Sequence, residues 1–325
     1  MRPTPRHNTM TIPVENIRNV VVVGAGTMGP GIAATFARHG YVTTLSDIDP
    51  KQIDKARSSV DFVFGTLTSG ALASAGDIDD ARKRLAFTTD PSDAIASADF
   101  VLENVPERLE LKQSLLRSLC DKTREDVILA SDTSGIPISA LQAGLPSPGR
   151  VVGMHWSNPP HLIPVIEVVK GAQTSPSTID TAKAIVESLD MLPAIVDRDV
   201  PGFVENRILY AIMREALHLL DERVASADAI DTIVRWGIGY KLGVVGPLRL
   251  LDLAGLDIYT AVAGYLNKDL CNDEGISPTV ADKVSAGKLG IKTQAGLFAY
   301  TPEEIQRLAR ERARLLVASK KALTN

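Results

Sequence analysis

The sequence predicts an α/β protein in which a Rossmann-type doubly wound sheet is followed by an all-helical C-terminal domain. Short apolar strand patterns alternate with helical patterns through residue 190, which is typical of a mostly parallel sheet covered by helices on both faces. The strand signal ends shortly before Pro201, which suits the first turn of a new helix. A chain of 325 residues is long enough for two domains with separate cores. We expect a ligand site in the cleft between them.

The individual elements follow from hydrophobic periodicity in chain order. Residues 51–86 have the pattern of two helices joined at Gly70–Gly76, and a long amphipathic helix carries Ile208 to Leu220. Strands are predicted near 19–23, 42–46, 99–103, 127–131, 150–156, 164–170 and 192–197, and later helices at about 226–236, 247–266 and 302–319. The predicted domains are a loose N-terminal tail at 1–16, a Rossmann domain at 17–198 and a helical domain at 199–325.

Composition excludes several classes of protein. A hydrophobic content of 45% argues against disorder, and a net charge of −4 gives no reason to expect a nucleic acid or an anionic membrane as a partner. No apolar run approaches the roughly 18 residues of a membrane span, and the N-terminus lacks the apolar core of a signal peptide. Cys120 and Cys271 lie far apart with no zinc or disulfide spacing, which suits a reducing cytoplasm.

The first predicted strand runs into a glycine-rich turn that opens a helix. Gly24, Gly26 and Gly29 form G-x-G-x-x-G around Thr27 and Met28. The first glycine permits the tight turn, the second lets the backbone approach a pyrophosphate, and the third allows close contact between helix and strand. The amino terminus of the helix then offers N–H groups to the phosphates. Any tight turn between strand and helix can contain these glycines, so the motif needs a second feature.

Asp47 supplies the second feature, because it ends the second predicted strand at the position where a carboxylate binds the adenosine ribose. A 2′-phosphate would meet repulsion there, and no arginine follows directly to receive it. The alternative role, capping the helix that starts at Pro50, fits Asp49 better. The sequence therefore predicts NAD, rather than NADP, as the cofactor.

His155 and Glu167 are the candidate catalytic pair. His155 ends one predicted strand, Glu167 lies inside the next, and a short proline-rich loop favours running the two strands side by side. A carboxylate buried in an apolar strand needs a partner. A histidine partner would have its tautomer fixed and its basicity raised, which makes a general base. The alternative is a structural His–Glu pair that braces two strands.

These features together resemble the 3-hydroxyacyl-CoA dehydrogenase superfamily from about Ile17 to Tyr300. The resemblance rests on Val-Gly-Ala-Gly-Thr-Met-Gly-Pro-Gly-Ile-Ala in the first turn, Glu-Asn-Val-Pro-Glu at 103–107, Ser-Asp-Thr-Ser at 131–134, Gly-Met-His-Trp-Ser-Asn-Pro at 153–159, Asp-Val-Pro-Gly-Phe-Val-Glu-Asn-Arg at 199–207 and Gly-Pro-Leu-Arg-Leu-Leu-Asp at 246–252. The order and spacing of the segments agree with the family. The resemblance implies an NAD-dependent dehydrogenase and a homodimer formed through the C-terminal domain.

The resemblance also implies roles for individual residues. His155 matches the family's catalytic base and Glu167 its dyad partner, while Ser134 and Asn206 match residues that hold the reacting oxygen. Glu107, Lys112 and Asn158 match positions near the cofactor. Alone, Ser134 is equally a turn residue and Asn206 a polar residue on an amphipathic helix. His161 is the next candidate base, and it can flank a flat ring with Trp156, although packing explains both residues as well.

The expected substrate departs from the family name. In members that use CoA, the helical insertion contributes basic and hydroxyl contacts, but here residues 58–81 contain no Lys or Arg and the matching positions are Val63 and Gly70. Lys241 can bind a substrate carboxylate, or it is an exposed loop lysine. We expect a small carboxylate-bearing hydroxy acid or aldehyde, as in members that act on a pyridine aldehyde of vitamin B6 degradation. The alternatives are a 3-hydroxyacyl-CoA dehydrogenase of fatty-acid metabolism and a non-catalytic NAD-binding structural protein.

Overall fold

The computed structural model describes residues 11–324. The strands are β1 (Asn19–Val23), β2 (Val42–Ser46), β3 (Leu85–Thr88), β4 (Phe100–Glu103), β5 (Ile128–Ser131), β6 (Val151–Trp156), β7 (Val165–Val169) and β8 (Leu192–Val196). The helices are α1 (Gly29–Arg38), α2 (Pro50–Ser69), α3 (Ala75–Arg84), α4 (Ser92–Ala96), α5 (Leu109–Lys122), α6 (Ile138–Leu141), α7 (Pro176–Ser188), α8 (Glu205–Asp221), α9 (Ala227–Ile233), α10 (Tyr240–Leu242), α11 (Pro247–Ala254), α12 (Leu256–Asp269), α13 (Pro278–Ser285) and α14 (Pro302–Thr324). None of these helices is long and apolar enough to cross a membrane.

The strands form one sheet in the order β3-β2-β1-β4-β5-β6-β7-β8. Neighbouring strands are parallel except β6 and β7, which run antiparallel. The strand order reverses direction between β1 and β4. Doubly wound sheets bind their ligands in the crevice that this reversal opens at the carboxyl ends of the strands. The predicted Rossmann-type sheet with a helical C-terminal region is confirmed.

The central strands of the sheet are continuous apolar runs in the sequence because they are buried on both faces. All residues of β4, β5 and β6 are buried, because helices cover both faces of the parallel part of the sheet. Polar side chains inside such strands need partners within the protein. Glu103, His155 and Glu167 are three of these polar residues, and their partners define the candidate site described below.

Several elements differ from the sequence-based expectations. The edge strand β3 was not predicted, since it is only four residues long and half-buried, which leaves little periodic signal. The single helix expected at 247–266 is interrupted at Gly255, whose φ of +100° ends α11. The helix expected from Pro201 begins at Glu205 instead, because Gly202 and Phe203 adopt left-handed backbone with φ of +76° and +49°. Helix α13 was also missed.

The described residues form two compact units. The first contains the residues up to Asn206 together with Ala313–Thr324, and the second contains Arg207–Arg312. The predicted domain bounds of 17–198 and 199–325 stay a prediction, and Ala313–Thr324 lies with the first unit in the structure. This segment is held by Val317, which packs among Val63, Phe64 and Leu67 of α2.

The expected loose tail at 1–16 lies partly outside the described residues. From Thr11 onward the chain is ordered against the first unit: the Thr11 hydroxyl lies 2.9 Å from the Thr181 hydroxyl, and Ile12 belongs to the core. Val14–Asn16 form a short 3₁₀ helix. The packed chain thus begins before Ile17, the start expected from the sequence.

Candidate active site

His155 and Glu167 face each other across the antiparallel strand pair. They are register partners on β6 and β7, and His155 Nδ1 lies 2.7 Å from Glu167 Oε2. Their exposed fractions are 6% and 4%. Because a carboxylate only accepts hydrogen bonds, Nδ1 carries the proton in this contact and Nε2 is left as a proton acceptor. The sequence correctly predicted that the two side chains meet.

The second oxygen of Glu167 anchors the start of α8. Glu167 Oε1 accepts the backbone N–H groups of Val204 and Glu205 at 2.9 and 3.0 Å. Burial raises the pKa of Glu167, but the hydrogen bonds from His155 and from these two N–H groups outweigh it and lower the pKa overall. The carboxylate is therefore ionised and has both oxygens occupied.

The charges around His155 favour its protonated form. Burial lowers the pKa of His155, and the hydrogen bond to Glu167 together with the charges of Glu167 and Glu205 more than offsets this, so that the pKa is raised. Histidine is the side chain that ordinarily changes its charge between pH 5 and 8, and a partner that raises its basicity suits general acid–base chemistry.

Ser134 and Asn206 lie together in the structure. The Asn206 side-chain amide donates to the Ser134 carbonyl oxygen at 2.8 Å, and the Ser134 N–H donates to Glu107 Oε1 at 3.0 Å. Ser134 is exposed and Asn206 is half-buried, so both polar groups are accessible to a ligand. Their role in holding a reacting oxygen stays a prediction.

Glu107 and Lys112 belong to a network centred on Glu103 at the end of β4. Lys112 Nζ lies 3.0 Å from both oxygens of Glu103 and 3.4 Å from Glu107 Oε2, and Lys112 is 1% exposed. The hydroxyl of Ser131 also donates to Glu103. Lys112 thus holds two carboxylates in place, and its expected contact with the cofactor stays a prediction.

Glu107 shapes the turn after β5. Its Oε1 accepts the Thr133 hydroxyl at 2.6 Å and the Gly135 N–H at 3.2 Å, besides the N–H of Ser134. Burial raises the pKa of Glu107, and the hydrogen bond from Thr133 and the charge of Lys112 lower it by more. The ionised Glu107 therefore fixes the loop that carries Ser134.

Asp132 is a buried acid that the sequence analysis did not single out. Its Oδ1 accepts the Trp156 N–H at 2.9 Å, and burial raises its pKa to about 8. With the Asn104 amide oriented to satisfy both of its ends, that amide donates to Asp132 Oδ2 at 3.2 Å and accepts the Gly29 N–H at 2.8 Å. Asp132 thus connects the end of β6 to the glycine-rich turn. A run of polar residues directly after a buried strand was the available signal.

Glu205 is a second acid that the sequence analysis missed. One of its carboxylate oxygens, a ring nitrogen of His155 and an oxygen of Glu167 lie within 4.8 Å of one another. The hydroxyl of Ser157 donates to Glu205 Oε2. Two acids and one histidine therefore surround one point at the ends of β6 and β7. Glu205 was part of a recognised motif, but the chain gave no register that would bring it to His155.

The glycine-rich turn has the geometry that a dinucleotide requires. Gly24 has φ of +110°, and a Cβ there would lie 2.4 Å from the Asn104 carbonyl oxygen. A Cβ on Gly29 would lie 2.1 Å from the Gly24 oxygen, whereas among the described residues nothing lies within 4 Å of one on Gly26. The close contacts explain the first and third glycines, and the open space at Gly26 fits a pyrophosphate.

The carboxylate of Asp47 is held at the edge of this turn. It accepts the N–H groups of Ala25 and Asp49 at 2.9 and 3.0 Å and is half-buried. Asp49 caps α2 through the Lys51 N–H, as the sequence predicted. Asp47 is therefore free of the capping role and suited to ribose hydroxyls. Thr27 is exposed and Met28 is half-buried directly before α1, and their expected contact with the cofactor stays a prediction.

The remaining predicted residues have mixed outcomes. Asn158 is exposed in the loop after β6, and Lys241 is exposed on α10 of the second unit. Trp156 is 2% exposed and packs on Phe36 with ring centroids 5.9 Å apart, which fits the packing role that the sequence left open. Burial and the charge of Lys320 lower the pKa of His161 to about 4, which makes it neutral at physiological pH.

Two family models match almost the whole chain. The NAD-binding domain of 3-hydroxyacyl-CoA dehydrogenase matches residues 19–200, and the C-terminal domain of the same family matches residues 202–300. The chain belongs to the 3-hydroxyacyl-CoA dehydrogenase family. Since the glycine-rich turn and Asp47 fit the cofactor, the protein is an NAD-dependent dehydrogenase that acts on a small molecule.

Individual relatives cover most of the chain. It is 49% identical to 5-formyl-3-hydroxy-2-methylpyridine 4-carboxylate 5-dehydrogenase of Mesorhizobium japonicum, over 94% of this chain and 98% of that protein. A crystal structure of an enzyme of that name, described as an NAD⁺-dependent dismutase, superposes with a TM-score of 0.89 at 47% identity, covering 95% and 99% of the two chains. The (S)-3-hydroxybutyryl-CoA dehydrogenase of Ralstonia eutropha superposes with a TM-score of 0.72 at 34% identity, over 88% of this chain and 100% of that one.

Proposed function

We propose that this dehydrogenase oxidises a small aromatic aldehyde that carries a carboxylate, such as a pyridine aldehyde of vitamin B6 degradation, with His155 as general base and Glu167 as its partner. The contact of 2.7 Å between His155 Nδ1 and Glu167 Oε2 carries the catalytic part of the proposal. The identity of 49% to the pyridine aldehyde dehydrogenase supports the substrate.

The chain's own residues perform the proton chemistry. His155 Nε2 accepts a proton from the substrate hydroxyl, which for an aldehyde is the hydroxyl of its hydrate, and Glu167 stabilises the resulting imidazolium. General-base assistance of this kind contributes about 10²–10⁴ in rate. Gly24, Gly26 and Asp47 would hold NAD⁺, which supplies the acceptor for the hydride. Met28 and Thr27, with Glu107, Lys112 and Asn158, are proposed to line the cofactor site.

The substrate is proposed to bind through its oxygen atoms. The Asn206 amide lies against the Ser134 backbone, and we assign the Asn206 amide and the Ser134 hydroxyl to the reacting oxygen, which such groups suit. We assign Lys241 to the substrate carboxylate, where a charge-assisted hydrogen bond contributes roughly 1.5–3 kcal/mol.

The helical insertion lacks the features that would bind the CoA part of a thioester substrate. Residues 58–81 contain no lysine or arginine to meet a phosphate. Of the two positions that match CoA contacts in the family, Val63 is buried, and a Cβ on Gly70 would lie 2.9 Å from Val317 Cγ1. The end of α14 thus covers the face of α2 on which a CoA contact would be expected.

A substrate screen tests the proposal. The purified protein is incubated with NAD⁺ and a 4-carboxylated pyridine 5-aldehyde, with small 3-hydroxy acids, or with 3-hydroxybutyryl-CoA, and NADH formation is followed by absorbance. We expect turnover with the aldehyde and none with the thioester. Turnover of the thioester alone would contradict the proposal and indicate a 3-hydroxyacyl-CoA dehydrogenase of fatty-acid metabolism. Binding of NAD⁺ without turnover of any substrate would indicate a structural NAD-binding protein.

We further propose that a second copy of this chain covers the helices of the second unit. Within residues 207–312 only Ile230 is fully buried. Large apolar side chains that are exposed on these helices include Tyr210, Met213, Trp236, Tyr240, Leu248, Leu253, Tyr259 and Tyr265. Apolar surface of this extent is typical of obligate interfaces. A homodimer mass in light scattering supports the proposal, and a monomer at micromolar concentration contradicts it.

The compartment is proposed from cysteine chemistry. Cys120 and Cys271 are free thiols in the structure, and free cysteines are typical of proteins in a reducing environment. We therefore propose a cytoplasmic location, and fractionation of the source cells would test it.

A further inference from the structure

The oxidation of an aldehyde releases more protons than the oxidation of an alcohol. An alcohol gives a ketone, NADH and one proton. An aldehyde, a water molecule and NAD⁺ give a carboxylate, NADH and two protons. If the proposed function is correct, two protons leave the reacting atoms in each turnover, and a second base beside His155 allows both to be accepted before either is released to solvent.

Glu167 is not available as the second acceptor. Its Oε2 receives the proton-bearing Nδ1 of His155, and its Oε1 receives the N–H groups of Val204 and Glu205. A carboxylate offers about four lone-pair sites to hydrogen-bond donors, and three of those of Glu167 are occupied by groups that hold its side chain in position. Its task is to orient His155.

Glu205 is placed where a second acceptor is needed. Its carboxylate lies within 4.8 Å of a ring nitrogen of His155, and it is half-buried at the first residue of α8. Ser157, the residue that follows β6, donates its hydroxyl to Oε2 and so directs the side chain toward the strand ends. An acid at a helix amino terminus also stabilises the helix dipole. A helix-stabilising role alone does not require this hydrogen bond to Ser157.

We propose that Glu205 is the second general base of the site and accepts the proton of the attacking water, in an inference that rests on the aldehyde substrate proposed above. The water oxygen bonds to the aldehyde carbon while its proton moves to Glu205, and the carbonyl oxygen becomes an alkoxide. The C–H bond then breaks, its electron pair leaves as hydride to NAD⁺, and the remaining hydroxyl of the hydrate gives its proton to His155, so that a carboxylate forms. Both bases then return their protons to solvent.

The two directions of reaction with one aldehyde separate this role from a structural one. Reduction of the aldehyde to the alcohol by NADH consumes one proton and involves no attack by water. We expect Glu205→Gln to lower kcat for aldehyde oxidation at least about tenfold, which is within the range of general-base assistance, and to leave aldehyde reduction within about threefold of the wild type. Glu205→Asp, which keeps a base, should recover part of the oxidation rate.

Matched variants control for folding. Glu222→Gln makes the same change at an exposed position just beyond α8 and should leave both directions unchanged. Ser157→Ala removes the hydroxyl that directs Glu205 and should lower oxidation selectively but less than Glu205→Gln, which provides a second test if that variant folds poorly.

Each outcome is informative about one of the two proposals. Equal losses in both directions, or no loss of oxidation, would overturn the role of Glu205 while the aldehyde substrate stands. If the wild type does not oxidise the aldehyde at all, both proposals are overturned, because a second proton acceptor then has no task.

Discussion

Two strands of this sheet, β4 and β7, each carry a buried glutamate with a basic partner, and the nature of that partner distinguishes the two sites. At the end of β4, Glu103 pairs with Lys112, and the two residues are 0% and 1% exposed. On β7, Glu167 pairs with His155, and each also has low exposure. Both carboxylates accept a backbone N–H as well, at Val105 and at Glu205.

The difference lies in whether the partner can exchange a proton. The Glu103–Lys112 ion pair holds Glu107 and the end of β5 in place, through the Lys112 contact with Glu107 and the Ser131 hydroxyl that donates to Glu103. A histidine titrates near neutrality. The same arrangement of a buried acid and its base is therefore structural at β4 and is proposed to be catalytic at β7.

The largest effect is expected from breaking the structural pair. Lys112→Met leaves Glu103 buried without a counter-charge, and removing one partner of a buried ion pair costs about 3–5 kcal/mol. Urea unfolding should show this loss. Lys122→Met, at the exposed end of the same helix, is the control. A loss below about 1 kcal/mol, the typical value of a surface pair, would show that the pair does not hold the fold.

Asp132 provides a third buried acid, one whose pKa burial raises to about 8. In the unfolded chain an aspartate has a pKa of about 3.9. Between these values the folded protein retains a proton that the unfolded chain has lost, so the free energy of unfolding falls as pH rises, by up to about 1.4 kcal/mol per pH unit. Its contribution is complete below the unfolded pKa and is lost as pH rises toward 8.

Asp132→Asn removes this titration. Urea unfolding of the variant should depend less on pH than that of the wild type between about pH 5 and pH 8. Asp121→Asn, at an exposed position, should behave as the wild type does. Identical pH slopes for Asp132→Asn and the wild type would mean that Asp132 is ionised in the folded protein.

Glu167→Gln sharpens the comparison at the catalytic pair. Glu167 raises the pKa of His155, so its neutral replacement should lower that pKa and move the acid limb of kcat/KM to lower pH. The plateau should fall about tenfold, because the imidazolium loses its partner. The measurement is a pH–rate profile of aldehyde oxidation, with Glu187→Gln as a surface control. An unmoved acid limb would mean that another group is the base.

The smallest expected effect concerns the cofactor. Asp47 should favour NAD over NADP by at least about tenfold, or about 1.4 kcal/mol, because its carboxylate repels a 2′-phosphate. Asp47→Ala should narrow this ratio of kcat/KM values. Equal kinetics of the wild type with the two cofactors would contradict the assignment.

The parts of the molecule that depend on local pattern were predictable from the sequence. The glycine-rich turn and Asp47 follow from strand periodicity. The pairing of β6 with β7 follows from a short loop, and this pairing places His155 opposite Glu167. Strand β3 was missed because an edge strand of four residues carries almost no periodicity.

The rest depends on contacts between distant residues. Glu205 approaches His155 only because α8 begins after the left-handed Gly202 and Phe203, a detail with no helical pattern of its own. The protonation of Asp132 follows from its burial, which a sequence does not reveal. The sequence also does not show that Val317 packs on Gly70, a contact that places the last turns of α14 in the first unit.

The central claim is that the partner of Glu167 is catalytic, whereas the partner of Glu103 is structural, and His155→Ala tests it most directly. Its kcat for aldehyde oxidation and its NAD⁺ affinity are measured on the same preparation. We predict a loss of about 10²–10⁴ in kcat with NAD⁺ affinity unchanged. Near-normal turnover by His155→Ala would contradict the account and place the base elsewhere.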